Sequence, residues 1–447
     1  MNWKHWPFIR SYGGGDSHHM AELRRLLTTF GYLVANQGAV SVIGLAYWAV
    51  VTHLFGSREV GLSAAAASTA VLLAAFGGLG IPLLLLAEIE SVDLAARRVF
   101  FTTGTAIATF VVLIMAIATI ALSPWLGQSL RIIGADPVEA TLFVIGSVAT
   151  MAGLTLDRAA VGLHRGAAQL WRGTLSSILK LACVGVLVLA STRTSSGLIF
   201  AWAMALVVAF FVCMPMLGLE HGRAGEGALI HREALVRRFG KLSLQHHVLN
   251  LSIASVTYVI PLTATLLVSP SDVAYFSAAF LLASAMLTVP YLLALSLFAE
   301  RSDDPGLLHR NVRRTLPFGL AIVAGIILVV EIAAPYALRL FGPAYAAHGT
   351  TALRILILVG PAYVIKDHYV SIRRAQHRMT HAASIMAIGT AVEVAGSVVG
   401  GALWGLNAIC LGWVIGASGE ALFLLSPVLE VFRRVPAIDS DAGSESD

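Results

Sequence analysis

The chain has 447 residues, of which 57% are hydrophobic and only 12% are charged, and its mean hydropathy is +0.81. Soluble domains carry about 25% charged residues, so this composition excludes a soluble protein and predicts one that spans a membrane. The net charge of +5 comes from short basic clusters between apolar runs. Such clusters are typical of anchors beside anionic lipid, and they do not indicate nucleic-acid binding.

Apolar runs of about 20 residues predict an all-α integral membrane protein with about twelve transmembrane helices. The first run lacks a signal-peptide cleavage pattern, so we interpret it as a retained helix. The predicted spans are 31–54, 60–87, 99–122, 138–156, 173–191, 197–219, 243–268, 272–299, 316–336, 350–366, 382–403 and 406–430.

The distribution of Lys and Arg predicts the topology, because cytoplasmic loops hold the excess of these residues. With a cytoplasmic N-terminus, 24 of the 30 fall on the inner side, two lie within predicted helices (Lys180 and Arg354), and only Arg58, Arg131, Arg193 and Arg339 fall outside. We therefore expect a membrane protein with both termini in the cytoplasm. Its predicted parts are a cytoplasmic arm (1–30), an N-lobe with helices 1–6 (31–219), a cytoplasmic linker (220–242), a C-lobe with helices 7–12 (243–432) and an acidic tail (433–447).

Scarce residues recur at a constant shift of 208, which indicates two parallel six-helix repeats around a central cleft. The matches include Pro82 with Pro290, Arg131 with Arg339, Gly134 with Gly342, Arg158 with Lys366, and Arg165 with Arg373. The alternative is coincidence in a chain rich in Ala, Leu and Gly. Pro82, after three nearby glycines, predicts a bend or break in the second helix, and Pro290 predicts a comparable weak point in the eighth. Such interruptions favour a transport pathway, although ordinary kinks are the alternative.

Four ordered motifs resemble those of Wzx-type polysaccharide flippases, in the multidrug/oligosaccharidyl-lipid/polysaccharide exporter superfamily. They are the run LFGPAY with the later ALRIL at 340–356, IRRAQHR at 372–378, WGLNA at 404–408, and EVGL at 59–62. The sequence departs from the family pattern at Leu62, where the family has tyrosine, and at Asn407 and Ala408, which replace a second glycine. Helices 1, 2, 7 and 8 also lack the central cation that such flippases tend to carry.

The resemblance implies a function and a set of partners. It implies alternating access by two lobes that carry a polyprenyl-(di)phosphate-linked saccharide from the inner to the outer leaflet for cell-envelope polysaccharide biosynthesis. The implied partners are that lipid-linked glycan, membrane lipid and polysaccharide assembly proteins; no cofactor, metal, catalytic residue or nucleic acid is expected. Two rival functions stay open. A drug/cation antiporter usually needs an acid deep in helix 1 or 7, and a membrane glycosyltransferase needs a large outer domain; neither feature is present in the sequence.

Charged residues inside the bilayer are costly, so each is a candidate for function. Lys180 on helix 5 could meet a lipid phosphate, or it could snorkel or pair with another helix. Glu331 and Arg354 are expected to form a structural ion pair. Glu393 and Glu420 are candidate coupling carboxylates that would exchange protons, with neutral packing carboxyls as the alternative.

Other polar residues are candidates by position alone. Candidate sugar contacts, or else helix-packing hydrogen bonders, are Asn36, Gln37, Tyr47, Asn250 and Tyr258. His246 and His247 open helix 7 without an acidic partner, so interfacial or gate histidines are favoured over metal ligands. Inner-loop arginines serve as topology anchors, and in a flippase they would also attract the headgroup as a cytoplasmic gate: Arg97, Arg98, Arg158, Arg165, Arg373 and Arg374. Cys183, Cys213 and Cys410 lie in apolar runs and indicate neither a disulfide nor a zinc site.

Overall fold

A computed structural model describes residues 43–219, 257–299, 305–376 and 378–433. These residues form fifteen α-helices, linked by turns and short 3₁₀ segments. The helices are α1 Ile43–Leu54, α2 Ser57–Gly77, α3 Ile81–Glu88, α4 Leu94–Leu122, α5 Gln128–Ala135, α6 Pro137–Gly162, α7 Gly166–Leu189, α8 Ser195–Cys213, α9 Thr257–Leu267, α10 Pro270–Ala299, α11 Pro305–Arg339, α12 Pro343–Ile357, α13 Gly360–Ala375, α14 Met379–Trp404 and α15 Leu406–Arg433.

The helix pattern confirms the predicted fold class. Within the described ranges, ten helical segments are long and apolar enough to cross a membrane, and the shorter apolar helices α1 and α9 lie inside the first and seventh predicted spans. Large apolar side chains on α4, α11 and α15 face outward, which suits contact with lipid because the backbone groups there are bonded within the helices. Exposed examples are Phe110, Ile114, Leu328, Ile332, Leu422 and Phe423.

Helix ends follow the local sequence. Asp136 caps α6, where its carboxylate accepts hydrogen bonds from the backbone N–H groups of Val138 at 2.8 Å and Glu139 at 3.2 Å. Pro137 occupies the first turn of that helix, where its missing N–H costs nothing. Thr194 caps α8 through the N–H of Gly197 at 3.2 Å. These caps start both helices within two residues of the predicted spans.

The expected break in the second span is confirmed. The chain leaves α2 after Gly77, and Leu79 and Gly80 adopt positive φ angles of 48° and 75° before α3 starts with Pro82 in its first turn. Glycine adopts this conformation without strain, and proline supplies no N–H to continue the α2 ladder. At Pro290 the helix α10 is continuous, so the second half has no break there, and the weak point expected at this residue stays a prediction.

The second interrupted span is the tenth, which the sequence predicted as one short helix at 350–366. The structure has α12 and α13 instead, with a turn at Leu358 and Val359 and Pro361 in the first turn of α13. In the predicted repeat, Pro137 corresponds to Tyr345, which lies 208 residues later. Pro137 is the first residue of the continuous helix α6, and Tyr345 lies near the start of α12. The helix boundaries therefore agree with the repeat, while the two halves place their breaks in different spans.

Packing divides the core into three parts. One core lies among α2–α8, a second among the ends of α11, α13, α14 and α15, and a third joins α1, α2, α7 and α8 to α9–α13 and α15. The predicted division into two lobes stays a prediction, since the linker at 220–242 lies outside the described residues.

Candidate functional site

A cavity of about 280 Å³ opens beside the break between α2 and α3. Its wall is formed by α2, α3, α6, α7 and α8, and Tyr258 of α9 completes it from the second half of the chain. The break itself contributes Gly78 and Gly80, so the cavity exists where the second span loses its helix. The charged residues in its wall are Asp157, Arg158 and Arg172.

Arg172 and Asp157 form a bidentate ion pair in this wall. Arg172 Nε donates to Asp157 Oδ1 at 2.5 Å, and Nη2 donates to the other carboxylate oxygen. Each side chain is 14% exposed. Gly153 lies one turn before Asp157 on α6, and a Cβ there would come 3.0 Å from Arg172 Nη1, so glycine leaves room for the guanidinium. Parallel two-bond pairing fixes the orientation of the guanidinium as well as its charge.

Arg158 is exposed at the same wall. Two guanidinium groups and one carboxylate give the lining a net charge of +1, because every other lining residue is neutral. A cationic cavity inside a largely apolar protein attracts anions more strongly than the same charge would in water. Arginine side chains bind phosphate and carboxylate groups through paired hydrogen bonds.

The cavity lies toward one end of the helix bundle, and the two halves touch each other at the opposite end. Ser57 Oγ donates to Ser271 Oγ at 3.2 Å, and a Cβ on Gly61 would overlap the carbonyl of Pro270. Gly127 approaches the backbone of Leu266 in the same way. The charge distribution in the sequence predicts that the closed end is the outer one, so we expect the cavity to face the cytoplasm.

The structure brings together two of the sequence candidates, Arg158 and Tyr258, in the cavity wall. Tyr47 and Lys180 meet elsewhere: the Lys180 ammonium lies 5.4 Å from the Tyr47 ring centroid, between α7 and α1. Neither residue lines the cavity. Asn36, Gln37, His246, His247 and Asn250 lie outside the described residues.

The candidate gate arginines do not form one cluster. Arg97 donates to the backbone oxygens of Glu90 at 2.5 Å and Val92 at 2.9 Å, and so braces the loop before α4. Arg165 donates to the carbonyl of Met216 at 3.1 Å. Arg373, in the last turn of α13, places its guanidinium over the ring of Tyr369 one turn earlier. Arg98 is half-buried near the start of α4, and Arg374 is exposed at the end of α13.

Glu393 and Glu420 share one cation, Lys366. Its ammonium contacts Glu393 Oε1 and lies 2.6 Å from Glu420 Oε2, while Trp413 Nε1 donates to Glu393 Oε2 at 2.8 Å. Lys366 and both carboxylates are buried, and Gly389 makes room for the Glu420 carboxyl. Coupling by these carboxylates stays a prediction, but both now have a basic partner.

The expected pair of Glu331 and Arg354 is confirmed. Arg354 Nε lies 3.4 Å from Glu331 Oε2, and Nη2 donates to the Glu331 carbonyl at 2.6 Å. Each side chain keeps more than a third of its surface exposed, so the pair ties α12 to α11 without being enclosed.

Sequence reasoning missed the roles of Asp157 and Arg172 because it assigned them, with Arg158, to an inner loop, and it missed that of Lys366 because it placed this residue at the very end of a span. In the structure α6 continues to Gly162 and α7 begins at Gly166. The predicted loop between the two spans is therefore helical except for the turn at 163–165. Asp157 and Arg172 lie at similar distances from that turn, one before it and one after. Opposite charges so placed across a helical hairpin were a signal available in the sequence.

No protein-family model matches the sequence, and no curated protein is significantly similar to it. Among solved structures, lipid II flippase MurJ in an inward closed conformation is similar with a TM-score of 0.69 at 14% identity, over 90% of this chain and 89% of that one. An inward-facing multidrug resistance transporter of the MATE family, in the MOP superfamily, gives 0.59 at 15% identity, over 90% and 95%. An outward-facing transporter of that family gives 0.55 at 15% identity, over 92% and 96%.

At these identities the comparisons establish the fold. The chain has the twelve-helix fold of MOP-superfamily transporters. The solved proteins named here that share it are described as multidrug resistance transporters and a lipid II flippase.

Proposed function

We propose that the protein is a flippase that moves a polyprenyl-(di)phosphate-linked saccharide from the inner to the outer leaflet of a bacterial plasma membrane. The observation that carries this proposal is the cationic cavity, where Arg158 and Arg172 outnumber Asp157. A phosphate headgroup is the membrane-lipid component that such a lining would bind. The ordered Wzx-like motifs and the flippase among the structural neighbours support the same substrate class.

The transport cycle would use alternating access. The headgroup enters the cavity from the cytoplasmic side while the prenyl tail stays in the bilayer, and the halves then part at the contact of Ser57 and Gly61 with Pro270 and Ser271. The break between α2 and α3 supplies backbone freedom at the cavity wall during this change. Polysaccharide assembly proteins would receive the product on the outer side.

A drug/cation antiporter is the main rival. Its substrate would have to enter a lining with a net positive charge, which repels organic cations. The predicted first and seventh spans also contain no Asp or Glu that could hold a coupling cation. Both observations favour the flippase.

The test is flipping of a polyprenyl-diphosphate-linked N-acetylglucosamine in proteoliposomes that contain the full chain. Replacing Arg158 by Gln removes one charged contact to phosphate, which is worth about 1.5–3 kcal/mol, so the rate per folded molecule should fall about tenfold or more. Arg131→Gln is the matched control, since Arg131 is an exposed arginine on α5, away from the cavity. Wild-type protein that exports ethidium but does not flip the lipid would contradict the proposal.

A further inference from the structure

Asp157 is the acidic residue of the cavity wall, and its place is unexpected for a site that binds phosphate. It points both oxygens at Arg172, one of the two arginines that would hold an anion. A site selected only for tight phosphate binding would leave both guanidinium groups free. Asp157 instead neutralises one of them while the site is empty.

We infer that Asp157 is a release-determining residue of the headgroup site: its carboxylate is a resident anion that competes with the substrate phosphate for Arg172. This inference rests on the proposed function. The guanidinium has five N–H donors, and Asp157 occupies one on Nε and one on Nη2. A phosphate that approaches Arg172 from the cavity meets a group whose charge is already largely matched, so Arg158 provides the net attraction.

The resident carboxylate of Asp157 would raise the turnover rate by speeding release of the headgroup. A flippase must release its headgroup on the far side, and binding that is equally tight in every state slows that step. With Asp157 in place the lining has a net charge of +1; without its charge the lining would have +2. Since charges interact strongly in a low-dielectric site, the added charge should hold phosphate longer.

The first experiment measures binding of inorganic pyrophosphate to the purified full-length protein by titration calorimetry. Asp157→Asn should bind about tenfold more tightly than wild type or better, because Arg172 is then free for the anion. Asp157→Glu keeps the resident charge and should bind as wild type does. Glu139→Gln is the matched control on the same helix, since Glu139 accepts hydrogen bonds from Ser195 and Ser196 outside the cavity.

The same variant should show opposite changes in the two kinetic constants of lipid flipping. For Asp157→Asn we expect a lower KM together with a lower kcat, because binding tightens while release slows. A purely structural ion pair would instead reduce the amount of folded protein, with no tighter binding of pyrophosphate. Folded Asp157→Asn protein that binds pyrophosphate no better than wild type would overturn the inference and leave the Arg158 site intact.

A second variant covers the case in which Asp157→Asn does not fold, since it leaves a partly buried guanidinium without its partner. The double variant Asp157→Asn with Arg172→Gln removes both members of the pair, which is far less costly than breaking it. Its lining again has a net charge of +1, so pyrophosphate should bind within a few-fold of wild type. Binding at least about tenfold weaker would show that Asp157 does not offset Arg172. Wild-type protein that binds no pyrophosphate would overturn the headgroup site itself.

Discussion

Arg158 and Lys366 lie 208 residues apart, at equivalent positions of the predicted repeat, yet their surroundings are opposite. Arg158 is exposed at the cavity wall, whereas Lys366 is 4% exposed and lies between two carboxylates. A basic residue at the same position of the repeat therefore has a solvent-facing role in the first half and a packing role in the second. The proposed headgroup site is accordingly asymmetric and belongs mainly to the first half.

We expect Lys366→Met to be strongly destabilising. It leaves two buried carboxylates without their cation, and breaking a buried ion pair in this way costs about 3–5 kcal/mol. The thermal midpoint of the detergent-solubilised protein should fall, and its yield with it. Glu420→Gln is the comparison, because it keeps the contact of Lys366 with Glu393; it should cost clearly less. Equal losses in the two variants would show that the three groups do not act as one cluster.

The sequence predicted the order and approximate positions of the spans that the structure describes, because hydrophobic length and charge placement depend on the membrane rather than on tertiary contacts. It also predicted the break at Pro82 and the pair of Glu331 and Arg354. It did not predict the cavity. That site depends on helices α6 and α7 extending past the apolar stretch, and their polar ends resembled loops.

The second-half cluster was missed for a related reason. The sequence predicted Lys366 as the last residue of a short tenth span, whereas in the structure α13 continues past Lys366 to Ala375. Glu393 and Glu420 were recognised as embedded carboxylates from the sequence. Their common partner depends on how α13 packs against α14 and α15, which periodicity and composition do not specify.

Lys180 offers a direct comparison with Arg158. Its ammonium stacks on Tyr47 rather than facing the cavity, and a desolvated cation–π contact contributes about 2 kcal/mol. We expect Lys180→Met to lower thermal stability while flipping per folded molecule changes little. A loss as large as that of Arg158→Gln would instead place Lys180 on the path of the headgroup, as the sequence suggested.

The topology gives a further prediction. Single cysteines placed at exposed positions within 193–196 or 344–348, the latter at the start of α12, should react with an impermeant maleimide added to whole cells, because both segments are predicted to be external. Cysteines in the linker at 220–241 and at either terminus should react only after permeabilisation. The physical basis is the excess of Lys and Arg on the predicted inner side. An external C-terminus would be incompatible with twelve spans and a cytoplasmic N-terminus.

The last prediction concerns the contact between the two halves at the start of α2 and α10. The hydroxyl oxygens of Ser57 and Ser271 are 3.2 Å apart, and a disulfide needs its sulfurs at about 2.0 Å, so replacing both serines by cysteine requires only a small movement. Oxidation should cross-link the halves at this end and stop flipping, because alternating access requires them to part there. A reductant should restore the rate.

Each single cysteine variant is a control for this experiment and should flip lipid normally under oxidation. The natural Cys213 and Cys410 are buried, and the half-buried Cys183 is replaced by serine in every variant, so natural cysteines should not compete for the new thiols. Cross-linking is checked by a mobility shift after proteolysis within the linker at 220–241. If the fully cross-linked protein still flips lipid at the wild-type rate, the contact between Ser57 and Ser271 does not open during transport, and the path out of the cavity must lie elsewhere.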